Sequence, residues 1–376
     1  MMEEEGDYPQ IADRMYASML DNWTEVLILT ESYETHIGDW LSIFTNPKVP
    51  NGTSYTDDMR QYDDGSAEIY EYYVRYWMGF RTIIRLLLCV FNYWQIRRYL
   101  VIAFFSLFSL VICSLAKHID EKNAFLFALS IILVRPHIVA QSLQFSCCFI
   151  IMFVAMLLVP WIHRHSRLES LFFMELGIIT MYFDFYTTPI LTFAMPMIYL
   201  CILKAEEGKN VKVRSVVVNF VIWIISYVMM WIAKLLLTTI FTDINAIRDG
   251  MIAFFGRVGI VKVSGLEDKY NPVQAIKCAF EYWSSYPDLS AQKVTVAAIA
   301  VVILLWGCIF VRNKKSMIHL KQHGIFLLIA CFPILWFAVA AQPTIIHASF
   351  QYRGIAVCLW SWLTYMHLSS KKVFME

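Results

Sequence analysis

Charge is scarce in this chain: Asp, Glu, Lys and Arg make up 16% of its 376 residues, against about a quarter in an ordinary soluble domain. That shortage leaves too little polar surface for a soluble enzyme, a nucleic-acid binder or a disordered regulator. The nine cysteines include no C-x-x-C pair, which excludes a zinc pattern and a disulfide framework. Most of them, Cys113, Cys147, Cys148, Cys308 and Cys331 among them, lie inside apolar runs and read as small core hydrophobes. What the chain does have is 59% hydrophobic residues, with 27 Phe, 20 Tyr and 12 Trp, and a mean hydropathy of +0.55. Such an aromatic load belongs to membrane spans and their interfacial belts. The composition therefore predicts an all-α polytopic membrane protein.

The net charge of +1 conceals an asymmetry. Residues 1–75 hold 16 Asp or Glu against four Lys or Arg, so the acidic and basic parts are expected on opposite sides of a membrane. Apolar runs long enough to matter fall at roughly 99–116, 123–136, 142–160, 170–183, 189–203, 215–240, 294–311, 324–341 and 350–368. Alternate connections are rich in Lys and Arg, whereas those at 184–189 and 342–347 have none. The positive-inside rule gives the same orientation at every crossing. It predicts an extracytoplasmic region over 1–98, spans 1–6 within 99–240, an extracytoplasmic loop over 241–293, and spans 7–9 with a cytoplasmic C-terminus within 294–376. The protein is thus expected in the plasma membrane.

Two segments depart from plain spans. Residues 76–96 are apolar but carry Arg81 and Arg85, each costing roughly 2.5–3.5 kcal/mol at the bilayer centre, so an amphipathic interfacial helix is predicted there. The 170–183 and 189–203 spans are short for a hydrocarbon core of about 30 Å. The turn between them, Asp184-Phe-Tyr-Thr-Thr-Pro189, is therefore expected to sink below the outer surface.

Ionisable residues in or beside spans mark function by default, because burying them is expensive. Asp184 opens the sunken turn, and Lys234 lies inside the 215–240 run. Arg135 ends the 123–136 run, and His347, Tyr352 and Arg353 surround the entry to the last one. Lys234 either snorkels, pairs with Asp184 or meets a phosphate, and the two arginines suit phosphate of a lipid or a substrate. Asp21 stands between Met19-Leu20 and the apolar run Val26–Leu29, a setting that suits a reactive carboxylate. Asp57, Asp58, Asp63 and Asp64 form an acidic loop, which is either simply solvated or able to hold Mg²⁺ or Mn²⁺ through hard oxygen ligands.

Five stretches in order carry a family resemblance. They are Leu20-Asp-Asn-Trp-Thr-Glu-Val-Leu-Ile-Leu29, Val74-Arg-Tyr-Trp-Met-Gly-Phe80, Asp184–Pro189, Trp231-Ile-Ala-Lys234 and His347-Ala-Ser-Phe-Gln-Tyr-Arg353. Together they resemble the GT-C superfamily of integral membrane glycosyltransferases, in particular uncharacterised bacterial, GtrII-like relatives. The resemblance covers nearly the whole chain apart from the family's first transmembrane helix, whose restoration before residue 16 would give ten spans. It implies transfer of a sugar from a polyprenyl-phosphate donor to a glycan or lipid-linked acceptor outside the membrane, with no nucleic acid involved. Asp21 matches the catalytic carboxylate of the family's first outer loop, with Asp184 as a second carboxylate. Lys234, Arg353, Arg135, Tyr352 and His347 would bind the substrate, while Arg75 orients the outer region. A flippase for lipid-linked saccharides, or an inactive relative, remains the competing expectation.

Overall fold

A computed structural model describes residues 19–33, 42–48, 71–184, 186–209, 211–257, 271–284 and 323–371. The 294–311 run and the aspartates at 57, 58, 63 and 64 lie outside the described residues. The fold is helical, and its one pair of described strands is a two-residue antiparallel contact between β1 (Pro47–Lys48) and β2 (Glu71–Tyr72).

Three helices are long and apolar enough to cross a membrane: α4 (Tyr93–His118), α7 (Leu143–Arg164) and α10 (Val213–Phe241). Before them come α1 (Asn22–Tyr33), α2 (Ser42–Thr45) and α3 (Phe80–Leu88). Between them lie α5 (Glu121–Ile132), α6 (Pro136–Val139), α8 (Glu169–Phe183) and α9 (Ile190–Glu206). Beyond α10 follow α11 (Ala246–Arg257), α12 (Pro272–Trp283), α13 (Ile325–Val339), α14 (Ala341–Ile346), α15 (Ala348–Gln351) and α16 (Ile355–Lys371).

Local chemistry sets these boundaries. α4 starts six residues before the apolar run because Asn92 and Gln95 form a reciprocal capping box, which satisfies otherwise orphaned amides. The polar Gln95, Arg97 and Arg98 hide that first turn from a hydropathy reading. α5 stops at Ile132, short of residue 136, where Arg135 takes a left-handed conformation (φ 59°) ahead of Pro136. Ser142 caps α7 by accepting from the Phe145 amide.

The segment at 76–96 is not one interfacial helix. α3 covers only its middle, the chain breaks at 89–92, and Tyr93 and Trp94 belong to the first turn of α4. Arg81 is buried and donates to Asn46 Oδ1 at 3.3 Å, so the interior gives this cation a partner where an interfacial helix would leave it to solvent.

α9 forms the centre of the bundle, with every side chain from Ile190 to Leu203 buried. α7, α10, α13 and α16 pack around it. α10 instead leaves Val217, Val221, Ile225, Val228 and Met229 exposed, an apolar stripe that needs lipid or another apolar cover. α8 crosses α10 closely: a Cβ on Gly177 would overlap Ser226 Oγ and the Trp223 carbonyl. Within 241–293, α11 lies along α10 and α12 lies over α14, α15 and the Tyr352–Gly354 turn.

Candidate functional site between α1 and the 184–189 turn

α1 is built so that two acids lie one turn apart. Asp21 caps the helix, its carboxylate accepting from the Thr24 amide at 2.9 Å and the Thr24 hydroxyl at 2.7 Å. A carboxylate at a helix start is stabilised by free amides and the helix dipole. Glu25 follows on the buried side, 1% exposed. It accepts from Ser142 Oγ at 2.8 Å, the Gln144 amide at 3.3 Å and Tyr93 Oη at 3.1 Å. Burial pushes its carboxyl up from 4.5 to about 7, outweighing those hydrogen bonds and the nearby Arg97.

Asp184 ends α8 and is 2% exposed. Both of its oxygens accept from the Thr187 amide, at 3.1 and 3.0 Å, and Oδ1 accepts from the Thr187 hydroxyl at 2.6 Å. This closes the turn on itself, with Thr187 and Thr188 buried. Tyr186 is left-handed (φ 63°), an uncommon state for a bulky residue that the surroundings must hold in place. Gln351 Nε2 helps by donating to the Tyr186 carbonyl at 2.8 Å.

An apolar groove of about 380 Å³ runs between α3, α4, α7 and α8. Its wall includes Ile84 and Leu87 from α3, Leu100 from α4, Ile150 from α7 and Ile179 from α8. At one end the wall reaches Leu143, next to the Ser142 that binds Glu25, and Phe183, next to Asp184. Cys147, also on the wall, lies within electrostatic reach of both carboxylates. The groove wall thus adjoins the residues that hold Glu25 and Asp184, while neither carboxylate lines it. Arg97, buried at 5% exposure and stacked over Trp94, acts on Glu25 from the first turn of α4.

The cations expected to bind substrate fall into separate places. Lys234 is fully buried and donates to the Phe44 carbonyl at 2.9 Å, with Phe44 and Trp77 rings 5.7 and 5.4 Å from its ammonium. It anchors the 42–48 segment on α10. Arg353 is also fully buried; its Nη1 donates to the Ser349 carbonyl at 3.0 Å and its guanidinium lies over Phe145 and Tyr352. Arg135 approaches the same Tyr352 ring and donates to the Trp283 carbonyl at 3.4 Å, while Tyr352 Oη donates to the Val134 carbonyl at 3.3 Å. Arg75 pairs with Asp249 at 3.1 Å, tying the segment before α3 to α11. His347 is exposed and stacks on Phe350.

Glu25 and Arg97 are the site members that the sequence reading passed over. The apolar setting that singled out Asp21 applies equally to Glu25, which directly precedes Val26–Leu29. Among the described residues no group of His, Cys, Asp and Glu could hold a metal ion. No family model, curated protein or solved structure matches the chain.

Proposed function

We propose that this protein is a membrane glycosyltransferase of the GT-C type, with nine spans and the Asp184 end of the bundle facing out of the cell. Its donor is a polyprenyl-phosphate-linked sugar and its acceptor a cell-surface glycan or lipid-linked saccharide. One observation carries the reading: the wall of an apolar groove adjoins, at Leu143 and Phe183, the segments that hold two buried carboxylates, and a buried arginine acts on one of them. A polyprenyl chain suits an apolar groove between helices, and the arginine suits its phosphate.

Asp21 is occupied as a helix cap, so the general base passes to Glu25, whose carboxyl near 7 is poised for that task. Glu25 takes the proton of an acceptor hydroxyl as its oxygen bonds to the anomeric carbon. The bond from that carbon to the phosphate oxygen breaks, and the lipid phosphate leaves with the electron pair. Arg97 stabilises the charge developing on the phosphate. A single displacement of this kind inverts the anomeric centre.

The test is transfer by the purified full chain in lipid nanodiscs from a short-chain polyprenyl-phosphate hexose. Glu25→Gln is expected to lower kcat about 100-fold or more, while Asp21→Ala mainly costs about 1 kcal/mol of stability as a lost cap. Movement of the sugar lipid between leaflets without transfer would overturn the assignment, as would full activity of Glu25→Gln.

A further inference from the structure

A second cavity, of about 180 Å³, lies on the far side of the same turn and shares no wall residue with the groove. Aromatic rings form most of it: Tyr76, Tyr186, Tyr227, Trp231 and Trp336. One cation enters it, Arg257, from the last turn of α11. We propose that this cavity binds a single sugar ring bearing a negatively charged substituent, a uronic acid or a sugar phosphate.

Three features select that chemistry. Arg257 donates to Tyr76 Oη and its guanidinium lies 5.3 and 5.0 Å from the centres of the Tyr76 and Tyr186 rings. Among the described residues no carboxylate pairs with it. A guanidinium carries five donors, and this one, half-buried among aromatic rings, keeps donors available for an anion. The second feature is buried hydrogen-bonding capacity without partners among the described residues: Tyr227 Oη and Trp336 Nε1. Polar atoms in such places ask for a ligand or water, and ring hydroxyls supply the matching oxygens. The third is shape. Flat aromatic walls present faces to the C–H surface of a pyranose, and about 180 Å³ is well below the 300–1,000 Å³ of sites for drug-sized molecules. A nucleotide or a disaccharide would not fit.

The rim consists of Val228, Phe254 and Val339, each at least 40% exposed. The cavity thus opens sideways past α10 and α13 and not through the closed 184–189 turn. Free saccharides serve as probes of the ring, and phosphatidylglycerol tests a lipid phosphate as the competing occupant. The inference stands on this cavity alone and does not depend on the transfer chemistry of the groove.

Saturation-transfer NMR on the full chain in uncharged detergent reads weak saccharide binding directly. Glucuronate and glucose 1-phosphate are expected to give ring-proton signals, with glucose about tenfold weaker for want of the charge-assisted contact. Arg257→Gln should bring glucuronate down to the glucose level. Tyr227→Phe removes one oxygen and keeps the ring, so the fold is retained, and it should weaken all three sugars. Equal signals from glucuronate and glucose, or wild-type signals from both variants, would overturn the proposal. Loss of the glucuronate signal on adding phosphatidylglycerol would assign Arg257 to a lipid phosphate and overturn it too. Binding is read without turnover, so failure here and failure of the transferase assignment are distinguishable.

Discussion

Glu25 concentrates the physics of the site in one side chain. Its folded-state pKa of about 7 lies above the ordinary 4.5, so between those values the native state keeps a proton that the unfolded chain releases. The resulting stability is fully present below pH 4.5 and is lost as pH rises through 7. At 1.36 kcal/mol per unit the total is about 3 kcal/mol. Thermal unfolding in detergent should therefore show a midpoint that falls from pH 5 to pH 8, and in Glu25→Gln this dependence should flatten. A wild-type midpoint that stays constant over that range contradicts the prediction. The sequence singled out Asp21, and the structure adds Glu25 one turn on as a second candidate. Asp21 and Glu25 share apolar neighbours, and only the helix phase, with Asp21 capping and Glu25 facing Ser142, tells them apart. Lys234 shows the same limit. Its place in an apolar run announced a buried cation, yet its acceptor is a backbone carbonyl 190 residues away in sequence, which no local pattern reveals.

Helices were legible where hydropathy and capping agree. The runs at 170–183 and 215–240 match α8 and α10 to within a few residues, because both ends of each run coincide with a change in polarity. The 76–96 stretch was misread because apolar content alone cannot show a break, and the Asn92 cap that starts α4 lies inside it. α11 and α12 were not anticipated in the outer loop, although Asn271-Pro272 is a helix start with its cap and first residue in place. The contact most sensitive to one atom is the α8–α10 crossing. Gly177 has neither space for a Cβ nor a mobile side chain alone opposing it, since the Trp223 backbone is part of the obstacle. Gly177→Ala should then destabilise by about 1–3 kcal/mol through overpacking, despite the higher helix propensity of Ala. A midpoint equal to or above wild type would show that the helices separate at little cost.

At the scale of the whole molecule the two ends of the bundle differ in kind. The end with Asp184 and Glu25 holds its charges close to cavities, with Arg257 and Arg97 nearby. At the opposite end Glu169 accepts from Lys204 at 2.5 Å and from Asn219 at 2.7 Å, and none of these residues lines the groove or the aromatic cavity. Lys117, Lys122, Arg164 and Arg167 lie at the helix ends and the connection near Glu169, and the positive-inside rule predicts that this end faces the cytoplasm. The orientation can be read from two exposed positions at opposite ends, Asp243 just beyond α10 and Ser166 between α7 and α8. In a background with the native cysteines replaced, Asp243→Cys should react with an impermeant thiol reagent on intact cells. Ser166→Cys should react only after the membrane is opened. Asp243 lies outside the helices, Ser166 opens a short 3-10 turn over Ser166–Leu168, and neither bears any part of the proposed sites, so labelling reports sidedness without disturbing function. Reversed labelling would place Glu25, Asp184 and the groove mouth in the cytoplasm, where the substrate would have to be an inner-leaflet lipid, and the extracytoplasmic transferase assignment would fall with it.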